Sequence, residues 1–518
     1  MADDELTPVI IGVGDIKNKS LEVENASEPA VLMKQAILES LKDTNLSSAK
    51  QDALMSAVDD LSVVATWTWP YPDLPDYLSK LLKINPAVRH LSEHGGNSPC
   101  QLLDEAARRI AKGETKVAIV TGGEALASLR SCTVAKKMPP PGWPAPDPNS
   151  RTMTADDLSL LGITPGSLHK IGLPIHIYPL YENGFRARRK QSIRENHEES
   201  SALYAQFAEV AKENTLAWNH GKAASKEDIG TVSKKNRMIC FPYPLLMNAF
   251  NTVNLAAACI VTSAGHARSL QIPESNWIYP LSGAGSAEDP DFWKRSAFDS
   301  APAISASIDL ALKNAGLQKG QIDLFDFYSC FPVVPKFASH HLGLPIGPSD
   351  NPVTLLGGLT SFGGAGNNYS MHALTAMTRE LRKGNKKFGL VLANGGVLTH
   401  QNVIILAKQP NKGSVPYADQ DPHAEINLPI PTFVEKPQGQ ATIEAYTVQF
   451  DRNNKPSLGY VVGRLESGDR PRFIANHGDE FTLAELSSMD KEPIGRRGTV
   501  SLASDGRNLF CLDAQSRL

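Results

Sequence analysis

Paired cysteines are missing from this chain of 518 residues, whose six cysteines are scattered and form no Cys-x-x-Cys pair. We therefore expect reduced thiols, no disulfide framework and no metal site. Long apolar runs are missing too, so no segment is expected to span a membrane. The formal net charge of -3 does not favour binding to nucleic acid. The acidic start from Met1 to Glu5 argues against a secretory or mitochondrial leader.

The chain is too long for a single core, and its length predicts about three domains. A hydrophobic content of 41% and a charged content of 21% are typical of an ordinary globular protein. We place a first half at 1–290, which includes a long excursion at 125–251. A second half follows at 291–412. A β-rich module is predicted at 425–512, with a short tail at 513–518.

Two glycine-rich turns divide the first 410 residues into related halves. Gly357–Tyr369 precedes the helical pattern Ser370–Lys383, and His94–Cys100 precedes the helical pattern Gln101–Lys112. Each pattern ends at a glycine and is followed by an apolar strand and a Gly-Gly pair. The order helix, strand, glycine-rich turn, helix, strand therefore occurs twice, which predicts parallel sheets with covering helices.

The repeated turns have two possible meanings. Glycines before a helix let the backbone approach a ligand, and the N–H groups at the helix start favour a carboxylate, a thioester oxygen or a phosphate. Two such helix starts that meet would form one pocket between the halves. Alternatively, the glycines only allow two buried helices to pack closely.

The excursion at 125–251 is longer than an ordinary loop, and such segments commonly cover or shape a pocket. Its helical part carries Arg186, Arg188, Arg189 and Lys190. This basic cluster is either a solvated helix face or a site for a ligand that carries phosphate.

The last third of the chain predicts a small β-barrel. Residues 439–450 and 458–465 alternate like two strands of a hairpin, and further strands follow up to Leu512. The segment Gly459–Arg464 lacks the interleaved aromatic and basic residues that stacking on nucleic acid requires. We therefore do not expect nucleic acid as a partner.

Five stretches in the same order carry a family resemblance: Asn236–Asn248, Tyr328–Pro332, Gly363–Tyr369, Ala393–Gly396 and Gly459–Leu465. The chain resembles the thiolase superfamily, in particular the sterol-carrier-protein branch and its thiolase-like protein type 1 relatives, which have an additional C-terminal domain. The resemblance implies an α/β fold in which two halves form five layers, αβαβα, followed by a small OB-like barrel. It also implies a coenzyme A thioester as substrate or ligand, with no bound cofactor.

Four positions depart from the family's catalytic pattern. Gly96 stands where the nucleophilic cysteine is expected, and Tyr328 where the family has histidine or asparagine. Gly364 replaces the histidine of a Gly-His-Pro motif, and Ala393 replaces the second catalytic cysteine. Glycine and alanine carry no nucleophile and no titratable proton. Ordinary thiolysis through these four positions is therefore excluded.

Four residues remain as candidate catalytic groups. Cys100 lies one helical turn after Gly96, and His94 could serve as its base. Cys330 and Tyr328 follow a predicted strand, where Cys330 could be the nucleophile and Tyr328 could donate to a thioester oxygen. The alternative is that both thiols are buried core residues and that the tyrosine is a packed aromatic.

Amides and glycines near these positions are candidates for substrate binding. Asn97, Asn367 and Asn394 could present amide donors, and Gly363 and Gly395 would let the backbone approach the ligand. The asparagines could equally cap helices or stabilise turns.

We expect an acyltransferase, which transfers acyl groups other than amino-acyl groups through a non-standard site, in lipid, acyl-CoA or specialised metabolism. The alternative is a catalytically silent protein that binds acyl-CoA or lipid, or that acts as a scaffold. Both a monomer and a homodimer remain open, because the additional domain could cover the face through which thiolases dimerise.

The residues Ser516, Arg517 and Leu518 form a conservative variant of the Ser-Lys-Leu peroxisomal address. They predict recognition by the peroxisomal import receptor and a peroxisomal location. A coincidental ending and a cytoplasmic location are the alternative.

Overall fold

The computed structural model describes residues 5–149 and 164–513. Within these ranges the strands are β1 (Pro8–Lys17), β2 (Asp60–Val63), β3 (Val88–Leu91), β4 (Val117–Ala125), β5 (Met238–Cys240), β6 (Tyr243–Pro244), β7 (Asn254–Ser263), β8 (Tyr279–Ala287), β9 (Leu324–Phe327), β10 (Phe388–Gly395), β11 (His400–Ala407), β12 (Gly439–Phe450), β13 (Pro456–Leu465), β14 (Arg472–His477), β15 (Arg497–Leu502) and β16 (Asn508–Leu512).

The α-helices in the same ranges are α1 (Pro29–Asp43), α2 (Ser48–Ser56), α3 (Leu74–Leu82), α4 (Ser98–Ala111), α5 (Leu126–Val134), α6 (Pro165–Leu168), α7 (Pro174–Arg188), α8 (Ile193–Glu213), α9 (Lys226–Gly230), α10 (Ala264–Ser269), α11 (Pro302–Ala315), α12 (Val333–Leu342), α13 (Tyr369–Arg382) and α14 (Glu480–Leu486). No helix in the described part of the chain is both long and apolar enough to cross a membrane.

Two sheets repeat the same arrangement. The first has the strand order β1-β7-β4-β2-β3, and the second has the order β8-β11-β10-β9. Strand β4 is buried along its whole length, because both faces of the sheet are covered by helices, so its sequence is a nearly continuous apolar run rather than an alternating one.

The prediction of parallel sheets is only partly correct. Strand β2 pairs parallel with β3 and β4, and β9 pairs parallel with β10. Strands β7 and β11, however, run antiparallel to both of their neighbours. The connection from Gly395 to His400 is too short for a parallel crossover, so β11 must return beside β10 as an antiparallel hairpin. The repeat of helix and strand did not reveal these return strands.

The layers follow from the packing of the helices. Helices α4 and α13 contact strands of both sheets, and so form a layer between them. Helix α1 covers the outer face of the first sheet, and α11 covers the outer face of the second. The order is helix, sheet, helices, sheet, helix, which confirms the predicted duplicated αβαβα fold.

The additional module is a closed five-stranded barrel. Its strand order is β12-β13-β14-β16-β15, and β15 pairs with β12 to close the ring. The short strand β5 of the excursion joins the same sheet through Cys240, which pairs with Gln449. The predicted barrel-like domain is confirmed.

The predicted basic cluster at the end of α7 is divided: Arg188 and Lys190 are exposed, whereas the other two members are paired within the protein. The Arg186 side chain is fully buried and pairs with Glu492 near the barrel. Arg189 makes a bidentate pair with Glu199, at 2.8 and 2.6 Å. The excursion therefore uses the charges of Arg186 and Arg189 to hold neighbouring elements together.

The side chain of Arg472 attaches the barrel to the second half. Its guanidinium is fully buried and contacts Glu444 at 2.8 and 2.6 Å. It also donates to the carbonyl oxygens of Trp293, at 3.1 Å, and of Arg295 and Ser296. One side chain thus pairs a carboxylate inside the barrel with a backbone segment outside it.

We predict that Arg472→Ala lowers the free energy of unfolding by about 3 kcal/mol, because it leaves three carbonyls without their donor and leaves Glu444 paired only with the partly exposed Arg464. Arg497→Ala is the control, since the exposed Arg497–Glu466 pair contributes about 0–1 kcal/mol. Urea denaturation of both variants measures the difference. Equal losses in the two variants would contradict the attachment role of Arg472.

Candidate functional site

The two glycine-rich turns meet at the junction of the halves. The amide Nδ2 of Asn367, from the second turn, lies 3.0 Å from Nδ1 of His94, in the first. The same amide donates to the carbonyl of Ala65 at 2.9 Å. Because the amide donates to Nδ1, the neutral imidazole carries its proton on Nε2. Burial lowers the pKa of His94, which favours this neutral form.

The phenol of Tyr328 fills the space beside Gly96. A Cβ atom added at Gly96 would lie 2.6 Å from the Tyr328 hydroxyl oxygen and 2.5 Å from the carbonyl oxygen of Asn394. Glycine is required here by this close approach, because any larger residue would overlap atoms of the other half. The position of the expected nucleophile therefore has no room for a side chain.

Tyr328 follows β9 and is 8% exposed. Its backbone N–H donates to Leu392 at 2.9 Å, and its ring packs edge-on against Tyr369. Burial raises its pKa, with a further contribution from Cys330, so the hydroxyl stays protonated. Within the described ranges no hydrogen-bond partner is assigned to this hydroxyl, which leaves it able to donate to a ligand.

The space beside a second glycine, Gly364, is also occupied by a side chain from another part of the chain. Gly364 donates its N–H to Phe250 at 2.7 Å, and the carboxamide of Asn251 occupies the space where a side chain at Gly364 would stand. Asn251 is exposed. Sequence reasoning missed this residue, because only the fold brings position 251 beside position 364.

Ala393 and Asn394 lie in β10, with both side chains buried. The amide of Asn394 donates to the Tyr178 hydroxyl at 2.7 Å and lies 3.8 Å from the sulfur of Cys330. Its side-chain oxygen Oδ1 accepts a hydrogen bond from Nε2 of Gln401 at 2.7 Å. Asn394 is therefore held in a buried network within the protein.

The two candidate thiols are buried. Burial raises the pKa of Cys330 to about 12, although hydrogen bonding opposes part of that rise. Burial also raises the pKa of Cys100, and Asp326 and Asp104 raise it further. The structure shows no hydrogen bond between Cys100 and His94 in the described ranges, since His94 Nδ1 faces Asn367 instead. At neutral pH both thiols stay protonated, and the thiol form is the less reactive one.

Of the remaining predicted binding residues, Asn97 and Gly395 pack against each other, and Gly363 lies elsewhere, beside Val253. The Asn97 amide donates to Asn402 at 3.0 Å, and its side chain occupies the space over Gly395. Gly363 has a φ of +115°, which L side chains rarely adopt. Asn97 thus connects the start of α4 to β11, and Gly363 allows the second turn to bend.

Glu124, at the end of β4, is a further residue that the sequence analysis missed. Its buried carboxylate accepts from the backbone N–H of Trp67 at 2.8 Å and of Thr68 at 3.0 Å. It also accepts from the hydroxyls of Thr66, at 2.9 Å, and Thr68, at 2.6 Å. Burial raises the pKa of Glu124 to about 7, against the lowering effect of these bonds. Glu124 thereby fixes the loop that follows β2.

Thiolases are among the solved structures that share this fold. Peroxisomal thiolase of Saccharomyces cerevisiae shares 13% identity at a TM-score of 0.56, over 78% of this chain and 98% of that one. Human mitochondrial 3-ketoacyl-CoA thiolase in complex with CoA shares 17% identity at a TM-score of 0.55, again over 78% and 98%. The fold is that of the thiolase superfamily. No curated protein sequence matches the chain.

Two further matches are more specific. A monomeric SCP2-thiolase-like protein type 1 from Mycobacterium smegmatis shares 29% identity at a TM-score of 0.78, over 98% of this chain and 100% of that one. Residues 423–507 match the family described as the thiolase-like protein type 1 additional C-terminal domain. Together they confirm the assignment to the thiolase-like protein type 1 branch.

We predict that Cys100 and Cys330 resist alkylation in the native protein. Both are buried, and their raised pKa values leave almost no thiolate at about pH 8, where an ordinary thiol reacts. Mass spectrometry of peptides after iodoacetamide treatment, with and without denaturant, locates the modified thiols, and the labelling of each cysteine in denaturant serves as its own reference. Rapid native labelling of Cys330 would contradict the prediction and favour a catalytic thiol.

We also predict that Gly96→Ala lowers stability by about 1–3 kcal/mol through overpacking. In a Tyr328→Ala background the cost should be smaller but not zero, because the Asn394 carbonyl still lies close to the added methyl group. Gly320→Ala, which faces open space, is the control and should change stability by less than about 0.5 kcal/mol. Denaturation of the single and double variants measures the coupling between positions 96 and 328. Strictly additive losses of unfolding free energy would contradict the contact between them.

Proposed function

We propose that the protein binds acyl-CoA thioesters at the junction of its two halves without forming an acyl-cysteine intermediate. The support from fold is the similarity to thiolases, one of which is described in complex with CoA. The support from geometry is the convergence of the two glycine-rich turns beside a protonated tyrosine. This proposal selects the binding alternative over an acyltransferase that uses a cysteine.

The observation that carries the proposal is the position of Tyr328 over Gly96. A thiolase must attack the thioester carbonyl with a thiolate, and here the space for that side chain is filled. The hydroxyl that fills it is a hydrogen-bond donor, and a thioester oxygen is an acceptor. A ligand bound at this position would be held through its carbonyl group, with no nucleophile placed to cleave it.

The oligomeric state and location belong to the same proposal. The Mycobacterium smegmatis relative is described as monomeric, and we propose a monomer here as well. The peroxisomal address at Ser516, Arg517 and Leu518 lies outside the described residues. Recognition by the import receptor, and thus a peroxisomal supply of acyl-CoA, stays a prediction.

The test is calorimetric titration with acetyl-CoA and with CoA. We expect saturable binding of both, and Tyr328→Phe should weaken acetyl-CoA binding about fivefold, the value of one hydrogen bond. CoA has no acyl carbonyl, so its affinity should not change in this variant. The comparison separates a bond to the thioester oxygen from a general disturbance of the site.

Intact-mass measurement on the same samples tests the absence of an acyl-enzyme. We expect no mass increase after incubation with acetyl-CoA, in the wild type and in Cys330→Ser. An adduct present in the wild type and lost in Cys330→Ser would replace the proposal with acyl transfer through that thiol. Absence of binding by both CoA and acetyl-CoA would refute the proposal.

A further inference from the structure

Trp67 is an exposed aromatic residue on a fixed loop. The side chain is 56% exposed, whereas the backbone around it is held by the buried carboxylate of Glu124. That carboxylate accepts hydrogen bonds from Trp67 and from residues on both sides of it, Thr66 and Thr68. The loop thus holds a large indole in solvent on a backbone that cannot readily withdraw it.

Trp69, two residues later, is by contrast a tryptophan that packs inside the protein. Trp69 is 6% exposed, donates its Nε1–H to Pro144 at 3.1 Å, and packs edge-on against Trp143. The Trp67 indole has no hydrogen bond of this kind in the described ranges, and its ring contact is with His94. The six tryptophans all lie within the described ranges, and Trp67 is the exposed one.

The position of Trp67 relates it to the site already described. Its ring centroid lies 6.3 Å from that of His94, at an interplanar angle of 74°. His94 is fixed by Asn367 and comes two residues before Gly96, where the Tyr328 hydroxyl stands. The exposed indole therefore lies on the loop that follows β2, at the rim of the junction, and contacts the turn that carries the position proposed for the thioester.

We propose that Trp67 selects thioesters whose acyl group is flat, aromatic or conjugated, by stacking against it while Tyr328 holds the carbonyl. This inference rests on the proposed function and adds a substrate class to it. Aromatic pairs gain energy from their ring geometry in addition to the area they bury, whereas a saturated ring of similar size gains only from area. Trp67 is thus a specificity-determining residue with no part in bond making or breaking.

The test compares benzoyl-CoA with cyclohexanecarbonyl-CoA, which differ in the flatness of the acyl ring. We expect the wild type to bind benzoyl-CoA about fivefold more tightly, which corresponds to one aromatic pair. Trp67→Leu should reduce this ratio to about one, and Trp67→Phe should retain most of it because phenylalanine still presents an aromatic face. Circular dichroism checks that each variant is folded.

Two outcomes would overturn the inference. One is an unchanged preference in Trp67→Leu, which would mean that the indole does not contact the acyl group. The other is a loss of affinity for CoA in Trp67→Leu that equals the loss for benzoyl-CoA, which would mean that the indole contacts the adenine instead. Acetyl-CoA binding to the same samples reports on the proposed function separately. If the wild type binds acetyl-CoA but does not prefer benzoyl-CoA over cyclohexanecarbonyl-CoA, only the present inference fails.

Discussion

The close approach of the two halves at Gly96 is the constraint on which the site depends. Protein interiors are close-packed, so a side chain lost from one element leaves space that another element must fill. Tyr328 fills it at Gly96, Asn251 at Gly364 and Asn97 at Gly395. The glycines at the junction are therefore contact points between the halves. Because neighbouring side chains occupy the space where the family resemblance implies reactive groups, introduction of a cysteine at Gly96 is sterically unfavourable.

The excursion and the barrel form one attached unit on the second half. Strand β5 joins the barrel sheet, and the Asn183 amide donates to Tyr446 at 3.0 Å. Lys336 of α12 is fully buried and contacts Glu182 at 2.7 Å and Ser200 at 2.7 Å. Each of these buried polar groups has a partner in a different element. Breaking one of these bonds would leave a buried polar group or charge without a partner, which is costly, so the bonds restrict the excursion to one placement beside the junction.

The sequence predicted the fold better than the site. The repeated glycine-rich turns and strands were visible in composition and spacing, because helix and strand periods are local properties. The antiparallel direction of β7 and β11 was not, because the direction of β7 depends on where the chain returns after the excursion, and that of β11 on the short turn after β10, which the repeat does not show. The sequence also could not predict which side chains occupy the space beside Gly96 and Gly364. A motif shows that a histidine or cysteine is missing, but it cannot show which distant residue takes up the space.

The protonation states of Tyr328 and Cys330 determine what chemistry the junction can support. Burial keeps Tyr328 protonated, and therefore able to donate, while the same burial keeps Cys330 protonated, and therefore a weak nucleophile. In a working thiolase a donor to the thioester oxygen accelerates reaction because it stabilises the charge that develops after attack. Without an attacking group no such charge develops, and the same hydrogen bond contributes only to binding the ground state. Under the proposed function, one physical effect, desolvation at the junction, keeps a donor available for a thioester oxygen and keeps the nearby thiol a weak nucleophile.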